Sequence, residues 1–350
     1  MPDFTVIVVT HNRADVLRDT LAALARLDYP GPWEALVVDN NSSDRTRAVV
    51  ADARAHFPVE LRYLFEGRPG KYWALNAGIE SSDSTFIAAT DDDACPEPDW
   101  LQRAAEGFGR FGCQFVGGPV FPVWGAPRPA WVDPQQPITG KVLGLQDHGA
   151  EPREYGTGGL SWPLGVNVAY RRDAFERVGL FDGRLGRVAG TLRNQSQREW
   201  HLRAKSAGLR GMYLPRMIVH HSVEADRLTR RYFRRWFYWH GISRAIMYDT
   251  QGTHLLEPES GATHDGERHV FGVPTSLWRR AALAAGSVAK RWARARRDEA
   301  VDYELILCFC AGVVRQRLRD RRRRTVHAPP AEQAFTETPA RAPDPASSRH

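Results

Sequence analysis

Three adjacent carboxylates, Asp91, Asp92 and Asp93, follow the stretch Ser84-Thr-Phe-Ile-Ala-Ala, a short apolar, β-branched run that reads as a buried strand. Like charges crowded at the end of a buried strand repel one another and are costly to desolvate unless a cation sits among them. Strand alternation puts Asp91 and Asp93 on one face and Asp92 on the other. Two carboxylates on one side supply the oxygen ligands that a hard divalent ion needs when it bridges a diphosphate. A solvated acidic turn is the competing reading, and the strand ahead of the run weighs against it.

The elements around that run form a series. Residues 4–10 are a continuous apolar run that closes on His11-Asn12-Arg13, and a helical pattern follows through Val16, Leu17, Leu21, Leu24 and Leu27. A second strand, Glu34–Asp39, ends in Asn40-Asn-Ser-Ser-Asp44, where Ser42 and Asp44 suit the cap of a helix over Thr46–Phe57. Leu61–Phe65 is a third strand, and Tyr72–Ser81 a helix behind the Gly67–Lys71 turn. Alternating strands and helices with polar strand ends predict an α/β fold, a doubly wound and mostly parallel sheet flanked by helices. Such sheets bind ligands at the carboxyl ends of their strands, where Thr10–Arg13, Asp39–Asp44 and Asp91–Asp93 all fall. No Gly-x-Gly-x-x-Gly follows the first strand, so this is not a dinucleotide fingerprint.

Further along, Phe115–Val123, Trp162–Tyr170 and Met212–Val219 read as strands, the last closing on His220-His221. Gln195–Gly208 and 226–249 read as helices, and 277–322 as helical. The chain is expected to divide into a first half over 1–115 and a second half, of the same domain, over 116–249. A linker or lid (250–276), a basic helical element (277–324) and a Pro/Ala/Ser-rich disordered tail (325–350) complete it.

A chain of 350 residues can bury a large core, and its 42% hydrophobic and 25% charged content is that of an ordinary globular protein. The net charge is +7, but Arg315–Arg324 holds seven Arg and one Asp, leaving the rest near neutral. That pattern is a basic tail, not a nucleic-acid-binding face. The four cysteines, Cys95, Cys113, Cys308 and Cys310, lack Cys-x-x-Cys spacing, which with no leader-like N-terminus predicts free thiols in a reduced cytoplasmic setting. No apolar run approaches the ~20 residues a spanning helix needs.

With the segments placed, the sequence resembles the family 2 glycosyltransferases of the GT-A type, in the bacterial branch that builds exopolysaccharide or cell-surface glycan. The resemblance rests on Val8-Val-Thr-His-Asn-Arg13, Val37-Val-Asp-Asn-Asn-Ser-Ser-Asp44, Gly70-Lys-Tyr-Trp-Ala-Leu-Asn-Ala-Gly78, Thr90-Asp-Asp-Asp-Ala94 and Tyr213-Leu-Pro-Arg-Met-Ile-Val-His-His221. These occur in the family's order across roughly residues 4–245. Gly117-Gly-Pro-Val and Pro163-Leu-Gly-Val-Asn167 also have counterparts.

The resemblance implies a nucleotide-sugar donor, usually a uridine diphosphate sugar, and Mn2+ or Mg2+, with 1–115 as the donor-binding half and 116–249 as the acceptor and catalytic half. Carried onto this chain, Thr10, Asn12 and Arg13 would line the nucleotide pocket and Asp39 would bond the base. Lys71 would approach the base or diphosphate, Asn76 would touch the donor or hold the turn, and Asp91 would reach the ribose, with Asp92 in the same donor set. Asp93 and His221 would hold the metal. Since His220 and His221 alternate along a strand, only one of them can face the site.

An inverting transfer is a single displacement in which a carboxylate takes the acceptor's proton. In this family the base opens a helix in a Gly-Glu-Asp-x-Glu or Gly-Glu-Glu-x-Glu pattern, but here the aligned stretch is Gln195-Ser-Gln-Arg-Glu199. The usual base position is Gln197, which accepts no proton at working pH. Glu199 is the expected catalytic base if the alignment slips by two residues, although positions 197 and 199 of a helix point nearly opposite ways. Asp182 and Glu151 are the other carboxylates in contention, and a donor-binding pseudoenzyme is the alternative. A nucleotidyltransferase is a further one, but it should carry a Gly-rich loop with a basic residue after the first strand.

On the acceptor side, Trp162 and Asn167 are the candidate contacts, and Trp124 and Trp131 lie in similar Pro/Gly-rich segments. The helix from Arg227 is expected to pack its aromatics on the body with Arg on the rim, so nucleic acid is not an expected partner. The expected partners are the donor and a glycan or lipid-linked acceptor. The apolar run Leu305–Val314 and the Arg cluster after it, 305–324 together, suit peripheral contact with an anionic inner membrane surface. Packing of that run on the body competes with this reading.

Overall fold

A computed structural model describes residues 1–134, 136–188, 190–251 and 268–326; side-chain statements exclude 137, 249–251 and 322–326. The first half contains β1 (Phe4–Thr10), α1 (Ala14–Leu24), β2 (Trp33–Asp39), α2 (Thr46–Arg54), β3 (Glu60–Phe65), α3 (Lys71–Glu80) and β4 (Phe86–Asp91). β3, β2, β1 and β4 pair in that order, all parallel. β1 reads as an unbroken apolar run because both its faces are covered. Phe4, Val6 and Val8 pack with Leu17, Leu21 and Val50, while Ile7 packs with Leu75 and Ile79. Gly78 allows α3 this approach, since a Cβ there would lie 3.0 Å from Ile7.

Next come β5 (Ala94–Pro96), α4 (Trp100–Phe111), β6 (Phe115–Gly117), β7 (Val120–Trp124), α5 (Pro137–Leu143), β8 (Arg153–Glu154), β9 (Val168–Arg171) and α6 (Arg172–Val178). They lead to α7 (Ser196–Ser206), β10 (Gly211–Tyr213), β11 (Val219–Val223) and α8 (Arg230–Gln251). β9 enters antiparallel between β4 and β6, and β10 and β8 complete the eight-stranded sheet. β5, β11 and β7 form a separate three-stranded sheet. The fold is therefore α/β with a mostly parallel central sheet flanked by helices, as expected.

Three expected strands are shorter or divided. Phe115–Val123 splits at Gly118-Pro119 into β6 and β7, which belong to different sheets, and a Cβ on Gly118 would lie 2.0 Å from Met217 O. Met212–Val219 likewise splits into β10 and β11 around Leu214–Ile218, which places His220 and His221 inside a strand and not at its end. Of Trp162–Tyr170 only the final residues join a strand; Pro163 cannot donate to a ladder.

The C-terminal part contains β12 (His269–Val270), β13 (Val273–Pro274), α9 (Thr275–Ala293) and α10 (Val301–Val326). The expected linker is thus partly ordered at both ends, and the helical element is two helices with a short 3-10 turn at Asp298–Ala300 between them. Most of the expected linker (252–267) and nearly all of the expected tail (327–350) lie outside the described residues. α8 and α10 cross closely at two glycines: a Cβ on Gly241 would lie 2.1 Å from Phe309 O, and one on Gly312 would lie 2.0 Å from Tyr238 O. Leu305, Cys310 and Val313 are buried here, so much of the apolar run 305–314 is spent on packing. No helix among the described residues is long and apolar enough to cross a membrane.

Candidate active site

The ends of β1, β2 and β4 meet through their side chains. Thr10 Oγ1 donates to Asp92 Oδ2 at 2.7 Å, and the Thr10 carbonyl accepts from Asn40 N at 2.8 Å. Asn12 adopts a left-handed conformation (φ 52°), from which its amide bonds the Ser42 hydroxyl and its side-chain carbonyl accepts from Ser43 N. Asp44 accepts from Thr46 N and from Ala14 N, tying down the first turns of α2 and α1 together. Asn40 fastens the third loop, accepting from Gly70 N at 2.7 Å and donating to the carbonyls of Glu66 and Arg68. Gly70 is needed there, because its φ of 138° is closed to residues with a Cβ.

β4 ends at Asp91, and this breaks the alternation expected of the three carboxylates. The chain turns at Asp92 and Asp93, so Asp91 points to Lys71 while Asp92 and Asp93 share Arg13. Arg13 Nη1 lies 2.9 Å from both Asp92 Oδ1 and Asp93 Oδ2, and its Nη2 reaches Glu224. Arg227, folded back by a 3-10 turn after β11, donates to Asp93 Oδ2 at 2.9 Å. Burial alone would raise Asp93, but the adjacent His221 imidazole and the two guanidiniums hold it well below the usual carboxylate range. For Asp92 burial wins over Arg13, and its pKa is raised to about 6.

His221 faces this cluster, with Nε2 3.2 Å from Asp93 Oδ1, while His220 points away to Glu97 at 2.8 Å. Asp93 Oδ1 is buried and accepts no hydrogen bond. A divalent cation fits here: the orphaned oxygen and the imidazole nitrogen are close enough for one ion to touch both, and carboxylate with imidazole is a donor set that Mn2+ accepts. Among the described residues no third carboxylate, imidazole or thiol joins them, which leaves the other positions to a ligand.

Several expected site residues lie elsewhere in the architecture. Asn76 is buried and spends its carboxamide on both backbone atoms of Phe181, so it holds a turn. Asn167 is fully buried and bonds Trp100 and the carbonyls of Pro119 and Met217, which keeps it from any acceptor. Asp39 is buried at the end of β2, bonded by Ser42 N and the Tyr63 hydroxyl. Glu199 is gripped by Arg203 through both oxygens, at 2.6 and 3.0 Å, and Arg203 goes on to the Leu180 carbonyl. Gln197 points the other way, toward the Tyr170 hydroxyl. Asp182 is bonded by Arg184. Trp131 packs edge-on against Phe233, and Trp124 packs against the same core cluster.

Gln197 and Trp162 line a cavity of about 270 Å³ that begins at Lys71 and is walled by Arg187, Arg198, Trp236, His240 and Arg244. Trp162 is stacked on His201 at 5.4 Å. A second cavity of about 570 Å³, which includes Gln146 and Asp147, shares Lys141, Ser161 and Leu164 with the first. Arg244 is buried, not on the rim of its helix as expected. Arg227, Asn40 and the arginines of the cavity escaped sequence reasoning, because no fixed spacing relates them to the acidic run.

Comparison with known proteins agrees with this geometry. The chain is 34% identical over 122 residues to glycosyltransferase AglE of Haloferax volcanii, covering 34% of this chain and 40% of that protein. It is 31% identical over 127 residues to the succinoglycan biosynthesis protein ExoM of Rhizobium meliloti, covering 36% and 41%. A glucosyl-dolichyl phosphate glucuronosyltransferase of Haloferax volcanii is 25% identical over 255 residues, covering 69% of this chain and 76% of that one. The match thus spans about two fifths of the first two relatives. Among solved structures, the mannosyltransferase PcManGT of Pyrobaculum calidifontis, in complex with GDP-Man and Mn2+, superposes with a TM-score of 0.60. It is 20% identical and covers 91% of this chain and 88% of that one, which is a likeness of fold. The description "Glycosyl transferase family 2" matches residues 5–179, the segment that carries the cross-tied strand ends and all three carboxylates. By that match, over half of its length, the chain belongs to glycosyl transferase family 2.

Proposed function

We propose that the chain transfers a sugar from a nucleoside diphosphate sugar to a glycan or lipid-linked acceptor in surface polysaccharide synthesis, by a single inverting displacement. The observation that carries this reading is the orphaned, buried Asp93 Oδ1 facing His221 at the meeting point of three strand-end loops. Asp93 and His221 are the residues that would hold Mn2+ or Mg2+, whose chemistry is to neutralise the diphosphate leaving group. Thr10, Asn12, Arg13, Lys71, Asp91 and Asp92 form the surrounding donor site, with Arg13 and Lys71 placing positive charge where the diphosphate develops negative charge. Asp39, buried behind the Asn40–Asp44 loop, would bond a base such as uracil by exchanging Ser42 N or the Tyr63 hydroxyl for it. Binding of substrate would draw Arg13 and Arg227 from Asp93 toward phosphate, since both sites offer them charge-assisted bonds.

Glu199 does not serve as base in this reading, because its carboxylate belongs to Arg203. A donor-binding protein without transfer is the second reading, favoured by Gln197 standing at the cavity wall in place of an acid. Peripheral membrane association is also proposed, through α9 and the hairpin before it instead of 305–314. Phe271, Trp278, Leu283 and Trp292 are exposed along the hairpin and α9, and Trp278 and Trp292 are next in sequence to Arg279 and Arg291.

A thermal-shift panel of UDP- and GDP-sugars tests the donor assignment. A nucleotide sugar should raise the midpoint only with Mn2+ present, in proportion to occupancy, and release nucleoside diphosphate when acceptor is added. A panel with no manganese-dependent shift would remove the reading; a shift without release would leave the second one.

A further inference from the structure

Two guanidiniums reach Asp93, and they are held differently. Arg13 is shared among three carboxylates, Asp92, Asp93 and Glu224. Arg227 forks across the two groups assigned above to the cation. Its Nη2 donates to Asp93 Oδ2 at 2.9 Å, and its Nη1 lies 3.3 Å from His221 Nε2. The side chain is 14% exposed and hangs from the 3-10 turn Ala225–Leu228, so it is not a solvated arginine that strays near the cluster. Planar forks of this kind are what a guanidinium has and an ammonium lacks.

The contact with His221 runs in one direction. A guanidinium nitrogen only donates, so Nε2 accepts, and a neutral imidazole has a single lone pair to accept with. That lone pair is also the one with which an imidazole binds a metal ion. Asp93 Oδ1 faces the same nitrogen at 3.2 Å without a hydrogen bond. Electron-rich atoms this close need a positive charge beside them, and the Arg227 guanidinium supplies it. A divalent ion on Nε2 and Arg227 Nη1 on Nε2 therefore exclude each other: they compete for one lone pair, and their charges repel.

We propose, resting on the donor reading above, that Arg227 is a built-in competitor of the cation: its guanidinium holds the His221–Asp93 pair until an ion arrives, and must leave for the ion to bind. A guanidinium gives up a buried carboxylate for another anion of matching shape, and the oxygens of a nucleoside diphosphate are such an anion. Nucleotide thus raises the affinity for the ion by drawing off its competitor, and by linkage the ion raises the affinity for nucleotide by the same factor. The ion alone binds only the fraction of molecules whose Arg227 has swung out, and its apparent affinity falls by that fraction. Ion and diphosphate fill the site together, and a bare ion is kept out.

The test is Mn2+ binding to the full chain after chelator treatment, with free ion counted by electron paramagnetic resonance, alone and with UDP or GDP. Wild type is compared with Arg227→Ala and Arg227→Gln. Both variants keep Arg13 on Asp93, and the glutamine keeps an amide donor should the alanine fail to fold. Mn2+ alone should bind the variants at least about tenfold more tightly than the wild type. The enhancement of that binding by nucleotide should shrink at least about threefold in the variants. Guanidinium chloride at a non-denaturing concentration should compete with Mn2+ in Arg227→Ala and not in the wild type, and sodium chloride of equal strength should compete in neither. That contrast separates occupation of the pair from a general effect of charge. Equal manganese affinity in wild type and variants overturns the proposal, and so does failure of guanidinium to compete. In both cases nucleotide-dependent manganese binding by the wild type would leave the donor reading standing. Absence of manganese binding in every protein, with nucleotide or without, would end both.

Discussion

The strand-end cluster and the cavity beside it handle charge in opposite ways. In the cluster each carboxylate has a cation: Lys71 for Asp91, Arg13 for Asp92, and Arg13 with Arg227 for Asp93. In the cavity the described lining holds six basic side chains and no carboxylate, and one of the six, Lys71, is the cation of Asp91. On the donor reading proposed above, a balanced cluster with one orphaned oxygen would exchange partners when cation and diphosphate arrive together. The cluster thus sets its charges against one another, whereas the charged lining of the cavity is of one sign.

Three experiments bear on that contrast, beginning with the largest effect. Asp93→Asn should cut transfer by about 10³-fold and abolish the manganese-dependent thermal shift. It should also cost about 3 kcal/mol of stability by denaturant titration, because two partly buried guanidiniums lose their shared carboxylate. Persistence of the manganese shift would show that the cluster is a structural ion network. Glu199→Gln should lower stability by about 1–3 kcal/mol and leave the transfer rate of the folded enzyme within about twofold, since it breaks the clamp on Arg203 and Glu199 lines neither of the two cavities described. A hundredfold rate loss at unchanged stability would return Glu199 to the chemistry and restore symmetry between the two regions. The smallest effect concerns the outer surface near the basic half. Wild-type protein should sediment with phosphatidylglycerol vesicles at low salt, and Trp278→Ser with Trp292→Ser should lower the bound fraction several-fold. Equal sedimentation of the double variant would exclude α9 as the contact.

Much of the donor side was legible from the sequence because its determinants are local. Continuous apolar runs gave the parallel strands, and polar residues at their ends marked the ligand edge. The pairing of His221 and not His220 with Asp93 follows from strand alternation. Alternation misled at Asp91–Asp93, where the strand stops one residue into the run and a turn decides direction. Asn76 and Asn167 lie in motif stretches yet hold backbone, a distinction that depends on where a buried carboxamide finds partners. The cavity wall was not legible. Lys141, Arg187, Arg198 and Arg244 come from four separate places in the chain and share no spacing.

By itself the sequence determined the α/β alternation, the parallel half of the sheet, the acidic run and the absence of an acid at position 197, since each depends on residue type and short-range period. Only the tertiary structure decided that Arg13 and Arg227 meet on one carboxylate, that Glu199 turns from the cavity, and that the apolar run of α10 is covered by α8. The physical reason is range: periodicity reports which face a residue takes on its own element, whereas charge pairing and burial depend on which elements the fold brings within a few ångströms.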